Sequence, residues 1–221
     1  MPADYSLFRG RPTIAPSDRF RPRKQPRQLR AAETRQRILD AAAQVFAEYG
    51  YAAGTTNRIA ERAQLSIGSL YQYFPNKDAV LRALMQAHAD AGAHLIAKRS
   101  ADGLPANLED ALRVFVRATI DNHRDNPRLH RVLFEEAPRA PDFLAHVHEM
   151  ERRAVEGTAV LLAAHPSVRD GSPLTAHVVV TTIESLVHRL VTTELPVDLD
   201  ELEDEMVALL GGYLRHRNEE S

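Results

Sequence analysis

Apolar positions recur at helical spacing through most of the chain. Ile38, Ala42, Val45, Phe46 and Tyr49 form one stripe over residues 33–49, and Gly50 stands where a helix C-terminal cap is expected. After the link over residues 50–54, Thr55 and Thr56 offer hydroxyls to a new helix N-terminus, and Ile59, Ala60 and Ala63 share its inner face. Gln64-Leu65-Ser66 interrupts the periodicity, with Leu65 as the buried turn residue and Ser66 as the cap of a helix over residues 67–74. Leu70 and Phe74 line the inner face of that helix, while Gly68 and Ser69 keep its start small and polar. Two short helices joined by such a turn predict a helix-turn-helix, whose second helix enters the DNA major groove.

Beyond Pro75, Asn76 caps a long helix to about Lys98, with Val80, Leu81, Leu84, Met85, His88 and Leu95 among its inward positions. Helices are expected next from Pro105 to about Asn122, from Asn126-Pro127 to Glu136, and from about Phe143 to Ala164. Ser172-Pro173 starts another, to about Thr193, that is apolar round most of its circumference and so must be buried on both sides. Asp198 caps the last, where Leu199, Leu202, Met206, Leu209 and Tyr213 repeat in a coiled-coil-like seam backed by Val207, Leu210 and Leu214. One stripe suits the chain's own core and the other a partner. Val179, Ile183, Leu186, Leu190, Leu202, Met206, Leu209 and Tyr213 are therefore expected to dimerise the chain, two helices from each copy forming a four-helix bundle. The fold class is all-α. A three-helix head over residues 33–78 precedes a six-helix body over residues 79–221, and a basic arm over residues 1–32, expected to be disordered, precedes both.

Charge sharpens this division. The net charge of −2 is the sum of +6 in residues 1–32, a balanced 33–78 and −8 in the rest. A basic arm beside a DNA-reading element is an electrostatic footprint for phosphate, and the acidic body is expected to stay clear of it. At 221 residues, 44% hydrophobic and 26% charged, the composition is that of a globular protein. No apolar run reaches the roughly 20 residues of a membrane span, and the N-terminus lacks a signal-peptide core, so a cytoplasmic location is expected. The absence of cysteine rules out disulfides, thiolate zinc and a cysteine nucleophile.

The stretch RQRILDAAAQVFAEYGYAAGTTNRIAERAQLSIGSLYQYFPNKDAVLRAL resembles the DNA-binding head of the tetracycline-repressor (TetR) family of bacterial transcriptional regulators. The resemblance covers about Thr34 to Leu84 and is strongest in ILDAA, in the spacing of Phe46, Gly50 and Thr55-Thr56, and in LYQYFPNKDAVL. It implies that Thr56 and Arg58 meet phosphate or a base edge. Ser66, Ile67, Gly68, Ser69 and Gln72 would then face the major groove, with Gly68 letting the backbone approach closely. Tyr71, Tyr73 and Lys77 would contact phosphates, Lys77 aided by the helix dipole at the start of the long helix.

For the body, the resemblance implies a small molecule bound between helices that releases double-stranded DNA. A lipophilic effector suits walls of Phe115, Phe134, Phe143 and Met150, with His88, His123 and His177 as buried hydrogen-bonding groups. No HExxH, GxSxG or phosphate loop supports an enzyme, and no cofactor is expected. No metal site is expected either: His146 and His148 point to different helix faces, and His123 and His130 straddle the break at Asn126-Pro127. The reading is a homodimeric repressor released from a palindromic operator by its effector. The alternative is an architectural or protein-interaction factor that uses the same head without a ligand.

Overall fold

The computed structural model of the protein describes residues 24–124, 126–169, 171–191 and 197–220. Among these residues the chain is all-helical, with nine α-helices and one π-helical turn. Residues 37–221 form one compact unit and residues 1–36 another. Helix α1 spans Lys24–Ala53, so residues 24–32 of the predicted arm are helical rather than irregular. Leu29, Arg30, Ala31 and Ala32 are strong helix formers, and Pro26 falls in the first turn, where no amide partner is lost. The rest of the arm, residues 1–23, lies outside the described residues.

Ile38, Ala42, Val45 and Phe46 are buried as their spacing requires, but Tyr49 is exposed, its ring 4.0 Å beneath the Arg58 guanidinium. The helical dihedrals of α1 break at Gly50 (φ 73°, ψ 174°), a conformation that glycine adopts without steric penalty. Helix α2 (Thr56–Arg62) is capped by Thr55, and α3 (Ile67–Tyr71) by Ser66. Between them Gln64 takes the left-handed region (φ 54°), which reverses the chain, and Leu65 is half-buried over the head core. Helix α3 ends at Tyr71 rather than Phe74. Gln72 and Tyr73 already bond three residues back, to Ser69 and Leu70, and Pro75 bars its predecessor from continuing the helix.

Helix α4 (Lys77–Arg99) begins at an Asn76 cap and runs into the body. Then come α5 (Leu108–Arg124), α6 (Pro127–Arg131), a π turn (Val132–Glu136), α7 (Pro141–Ala163), α8 (Pro173–Val191) and α9 (Leu199–Glu220). The head core does not stop at residue 78. Val80, Leu81, Leu84 and Met85 of α4, Val132 and Leu133 of the π turn, and Phe143 of α7 share one buried cluster with Ile38, Phe46, Ile59 and Leu70. A second cluster surrounds α5 with residues of α7, α8 and α9.

Beside it, Glu203 of α9 is buried against Arg113 (3.1 Å) and Arg117 of α5, and Arg117 also holds Asp200 at 2.8 Å. The predicted dimer seam needs correction here. Val179, Ile183, Leu202 and Met206 are buried in the chain's own second core, together with Val207, Leu210 and Leu214. Leu186, Leu190 and Tyr213 are half-buried against it, and only Leu209 of the predicted set stands out, 56% exposed. Helix α9 buries Leu202 and Met206 of one predicted stripe and Val207, Leu210 and Leu214 of the other, so both contribute to the monomer.

Gly54 is required by packing. A Cβ there would collide with the Phe46 ring, at 2.7 Å from its Cε1, and lie 2.9 Å from the Gly50 carbonyl oxygen. Gly54→Ala is expected to lower stability by about 2 kcal/mol, a fall of roughly 4–8 °C in Tm at this chain length. Gly157→Ala, inside α7 with no atom within 4 Å of the added Cβ, is the control and is expected to keep or raise the melting temperature, since alanine is favoured over glycine in a helix by up to about 1 kcal/mol.

Candidate DNA-binding face and body site

The head presents one continuous polar face. Ser66 Oγ caps α3 by accepting the Ser69 amide at 3.1 Å, and the two hydroxyls meet at 2.8 Å. Thr56 Oγ1 lies 3.2 Å from the Tyr71 hydroxyl, which joins the start of α2 to the end of α3. Ile67 is exposed although apolar, and Tyr71 is 50% exposed. A Cβ at Gly68 would meet no atom closer than Ser66 Oγ at 3.9 Å, so the chain's own packing does not require glycine there. Gln72 is exposed, whereas Tyr73 is half-buried against the head core. Arg58 donates to the Ala53 carbonyl at 3.4 Å, and Arg62 is fastened to Glu48 at 2.6 Å.

Lys77 is placed less freely than the sequence suggests. Its Nζ donates to the carbonyls of Tyr51 (2.9 Å) and Ala52 (3.3 Å) and lies 4.1 Å from the centre of the Tyr51 ring. The Tyr51 hydroxyl donates to Asp78, and burial, then this carboxylate, hold its pKa well above the usual phenol value. From the body, Glu136 at the end of the π turn accepts the Tyr51 amide at 2.8 Å. The end of α1, the start of α4 and the π turn thus meet at one residue, Tyr51. Nothing in residue spacing signals this junction, because Glu136 is 85 positions away.

In the body, four histidines and Phe134 converge. The rings of His123 and His130 stack 4.5 Å apart, with His88 edge-on to both at 4.9 and 4.5 Å. Phe134 lies 4.6 Å from His188 and 5.8 Å from His88, its outer face exposed. The break at Asn126-Pro127, which seemed to part His123 from His130, is the bend that folds α6 back and brings them together. Sequence reasoning set His130 aside for that reason, and it missed His188, on α8, because residue spacing does not show which helices meet. Burial pushes the His88, His130 and His123 pKa values down to about 2, 3 and 4, and neighbouring histidines push the same way.

The other predicted wall residues do not gather here. Phe115 belongs to the second core, while Phe143 and Met150 belong to the first. His177, expected buried, is exposed and faces Glu151 at 3.7 Å, since the inward face of α8 carries Ala176, Val179 and Ile183. A surface groove of about 410 Å³ is lined by Pro166, Ser167, Arg169, Arg215 and Asn218, none of them a predicted site residue.

With this geometry in place the family matches can be placed on it. The family of bacterial regulatory proteins described as tetR matches residues 38–84, the whole of the helix-turn-helix, and the tetracyclin repressor-like C-terminal domain matches residues 107–214. The chain belongs to the tetracycline-repressor family of transcriptional regulators. The transcriptional activator FasR of Mycolicibacterium smegmatis is 28% identical over 193 residues, covering 83% of this chain and 84% of that one. The A-factor receptor protein of Streptomyces griseus is 42% identical over 59 residues, and the match spans 21% of its length. Bacillus subtilis FadR, solved in complex with stearoyl-CoA, superposes with a TM-score of 0.64 at 22% identity, over 79% of this chain and 96% of that one, which shows the shared fold. No described helix of this tetracycline-repressor-family chain is long and apolar enough to cross a membrane.

The buried histidines set a pH dependence. A ring whose folded pKa lies below its unfolded value favours folding fully above about pH 6.5, and the benefit falls as the pH drops toward the folded value. For metal-free protein, stability is expected to decline below pH 6.5 by up to about 1.4 kcal/mol per unit for each of His123 and His130, offset in part by Glu184, whose carboxyl is pushed up to about 7 by desolvation and so favours folding as it takes up a proton. Urea melts at pH 7, 6 and 5 check this, and a flat profile would show that the rings take up protons in the fold as readily as in the unfolded chain.

Proposed function

We propose that this protein is a cytoplasmic homodimeric repressor that occupies a palindromic operator and leaves it when a small lipophilic effector binds its body. The observation that carries the DNA-reading part is the outer face of α3: an exposed isoleucine beside a glycine that no internal contact requires. Ser69, Gln72 and Ile67 read base edges, and Gly68 brings the helix backbone against the groove floor. Tyr71 with Thr56, Arg58, and Tyr73 with Lys77 hold phosphates on the two sides. Lys77 does so from the first turn of α4, where the helix dipole adds its field.

Regulation follows from the continuous core. Because α4 shares the head's buried cluster, a shift of its body half moves α3 with it. Two heads must meet half-sites about 34–36 Å apart, so a displacement of a few ångströms costs contacts on one side. An effector acts only through its difference in affinity between the two head spacings. The stearoyl-CoA bound by the FadR structure supports a lipophilic effector. The dimer forms through the outer face of α9, where Leu209 and Tyr213 flank Gly212, whose empty surroundings admit a partner helix closely.

Ser69→Ala is expected to change preference at a single operator position by about 1–3 kcal/mol. Lys77→Ala should weaken binding to every sequence and lower the salt slope by about one. Gel shifts with a site selected from random DNA separate the two, and equal effects from both substitutions would refute the division of labour. A reporter placed behind that site gives the sign of regulation: loss of the protein should raise its output, and a fall would make the protein an activator.

Leu209→Arg is expected to turn the dimer into a monomer in sedimentation while leaving helicity unchanged. Retention of the dimer would remove the outer face of α9 from the interface.

A further inference from the structure

The unexplained feature of the body is a set of lone pairs with nothing to bind. His123 Nδ1 lies 2.8 Å from the Thr119 carbonyl, which can only accept, so Nδ1 carries the proton and Nε2 the lone pair. That Nε2 belongs to a ring 0% exposed and has no hydrogen-bond partner. The carboxyl group of Glu184 on α8 stands 3.7 Å from it, beyond hydrogen-bond reach. His130, 4% exposed, is in the same state: the ring bonds to the Asn122 backbone, and its Nδ1 has no hydrogen-bond partner. The amide of Asn122 lies 3.2 Å from Nδ1 and 3.3 Å from Nε2 of His88, and 3.2 Å from the His88 carbonyl. Gly92 makes room for that amide, since a Cβ there would come within 3.0 Å of it. One donor nitrogen from each of His88, His123 and His130 lies within 4.8 Å of the others.

We propose that His88, His123 and His130 bind a divalent transition-metal ion, with the Glu184 carboxylate as fourth ligand. Tetrahedral bonds of about 2.0–2.1 Å place ligand nitrogens roughly 3.4 Å apart, so each ring has to move inward by about 1 Å at most. Two of the three rings have the outer hydrogen bond of metal-binding imidazoles: the nitrogen away from the ion is held by the backbone in His123 and His130, whereas His88 faces the side-chain amide of Asn122. A set of three imidazoles and one carboxylate, in a chain without cysteine, suits zinc, nickel, cobalt or copper(II) and not a soft monovalent ion. The half-exposed His88 and the exposed Phe134 ring mark the side by which the ion enters. An organic ligand fits these observations less well, because three convergent acceptors this close leave room for one cation and not for a group of atoms.

The ion would tie α4 to α5, α6 and α8 at the point where α4 leaves the head core. Its effect on DNA rests on the regulator reading above, and the two are tested separately. Chelator-stripped full chain is titrated calorimetrically with Zn²⁺, Ni²⁺ and Co²⁺, and cobalt is followed by its four-coordinate visible bands. One ion per chain at micromolar concentration or tighter is expected. His123→Gln and His130→Gln should each lose about 100-fold or more in affinity, and Asn122→Ala about 10-fold. Absence of binding by the unmodified chain overturns the proposal, as does binding that both histidine variants retain.

If a variant fails to fold by circular dichroism, X-ray absorption on the unmodified zinc-loaded chain decides the matter. Three imidazoles in the coordination shell support the site, and one or none refutes it. Gel shifts with and without metal then test coupling: a change in affinity that His123→Gln abolishes supports control by the ion, and equal affinities refute it. Loss of DNA binding in both states would refute the regulator reading alone, since calorimetry judges the metal site without DNA.

Discussion

Everything in this molecule hangs on one buried seam, the packing of Phe46, Ile59 and Leu70 of the head against Val80, Leu81 and Leu84 of α4. Each large side chain buried there contributes about 1.5–3 kcal/mol, so the first turns of α4 cannot leave the head without dismantling it. The Tyr51 junction adds direction to that adhesion. Lys77 and Asp78 hold Tyr51 from α4, and Glu136 holds its amide from the body. A hydrophobic seam by itself permits sliding, whereas hydrogen bonds from three elements to one residue fix an angle.

The body is built differently. Its two apolar clusters are separated by a polar layer. His88 follows Leu84 and Met85 of the first cluster, His130 precedes Val132, and His123 and His188 follow Ile120 and Val187 of the second. Buried imidazoles such as His123 and His130, whose Nε2 and Nδ1 have no hydrogen-bond partner, cost stability relative to leucines of the same bulk. A fold that carries them between its two cores has a place where the cores can be joined or loosened by something that satisfies those nitrogens. That place is also where the π turn runs, with Phe134 against the histidines and Glu136 at the junction with α1. One turn of chain thus touches both the polar layer and the head.

The helices, their order and the reading unit were legible from sequence alone because they rest on local physics. Caps at Thr55, Ser66 and Asn76, the glycine break at Gly50 and apolar spacing along α1 need only a few neighbouring residues. The same kind of reasoning erred where a helix had more than one face to bury. Met206 and Val207 of α9 both fall in the chain's own core, and an apolar stripe does not state whether its cover is the same chain or another. What only the tertiary structure decided is the meeting of residues far apart in the chain. It closed Glu136 onto Tyr51, and bent α6 at Asn126-Pro127 so that His123 and His130 stack. Periodicity specifies which side of a helix is inward, whereas the packing of whole helices specifies what that side meets.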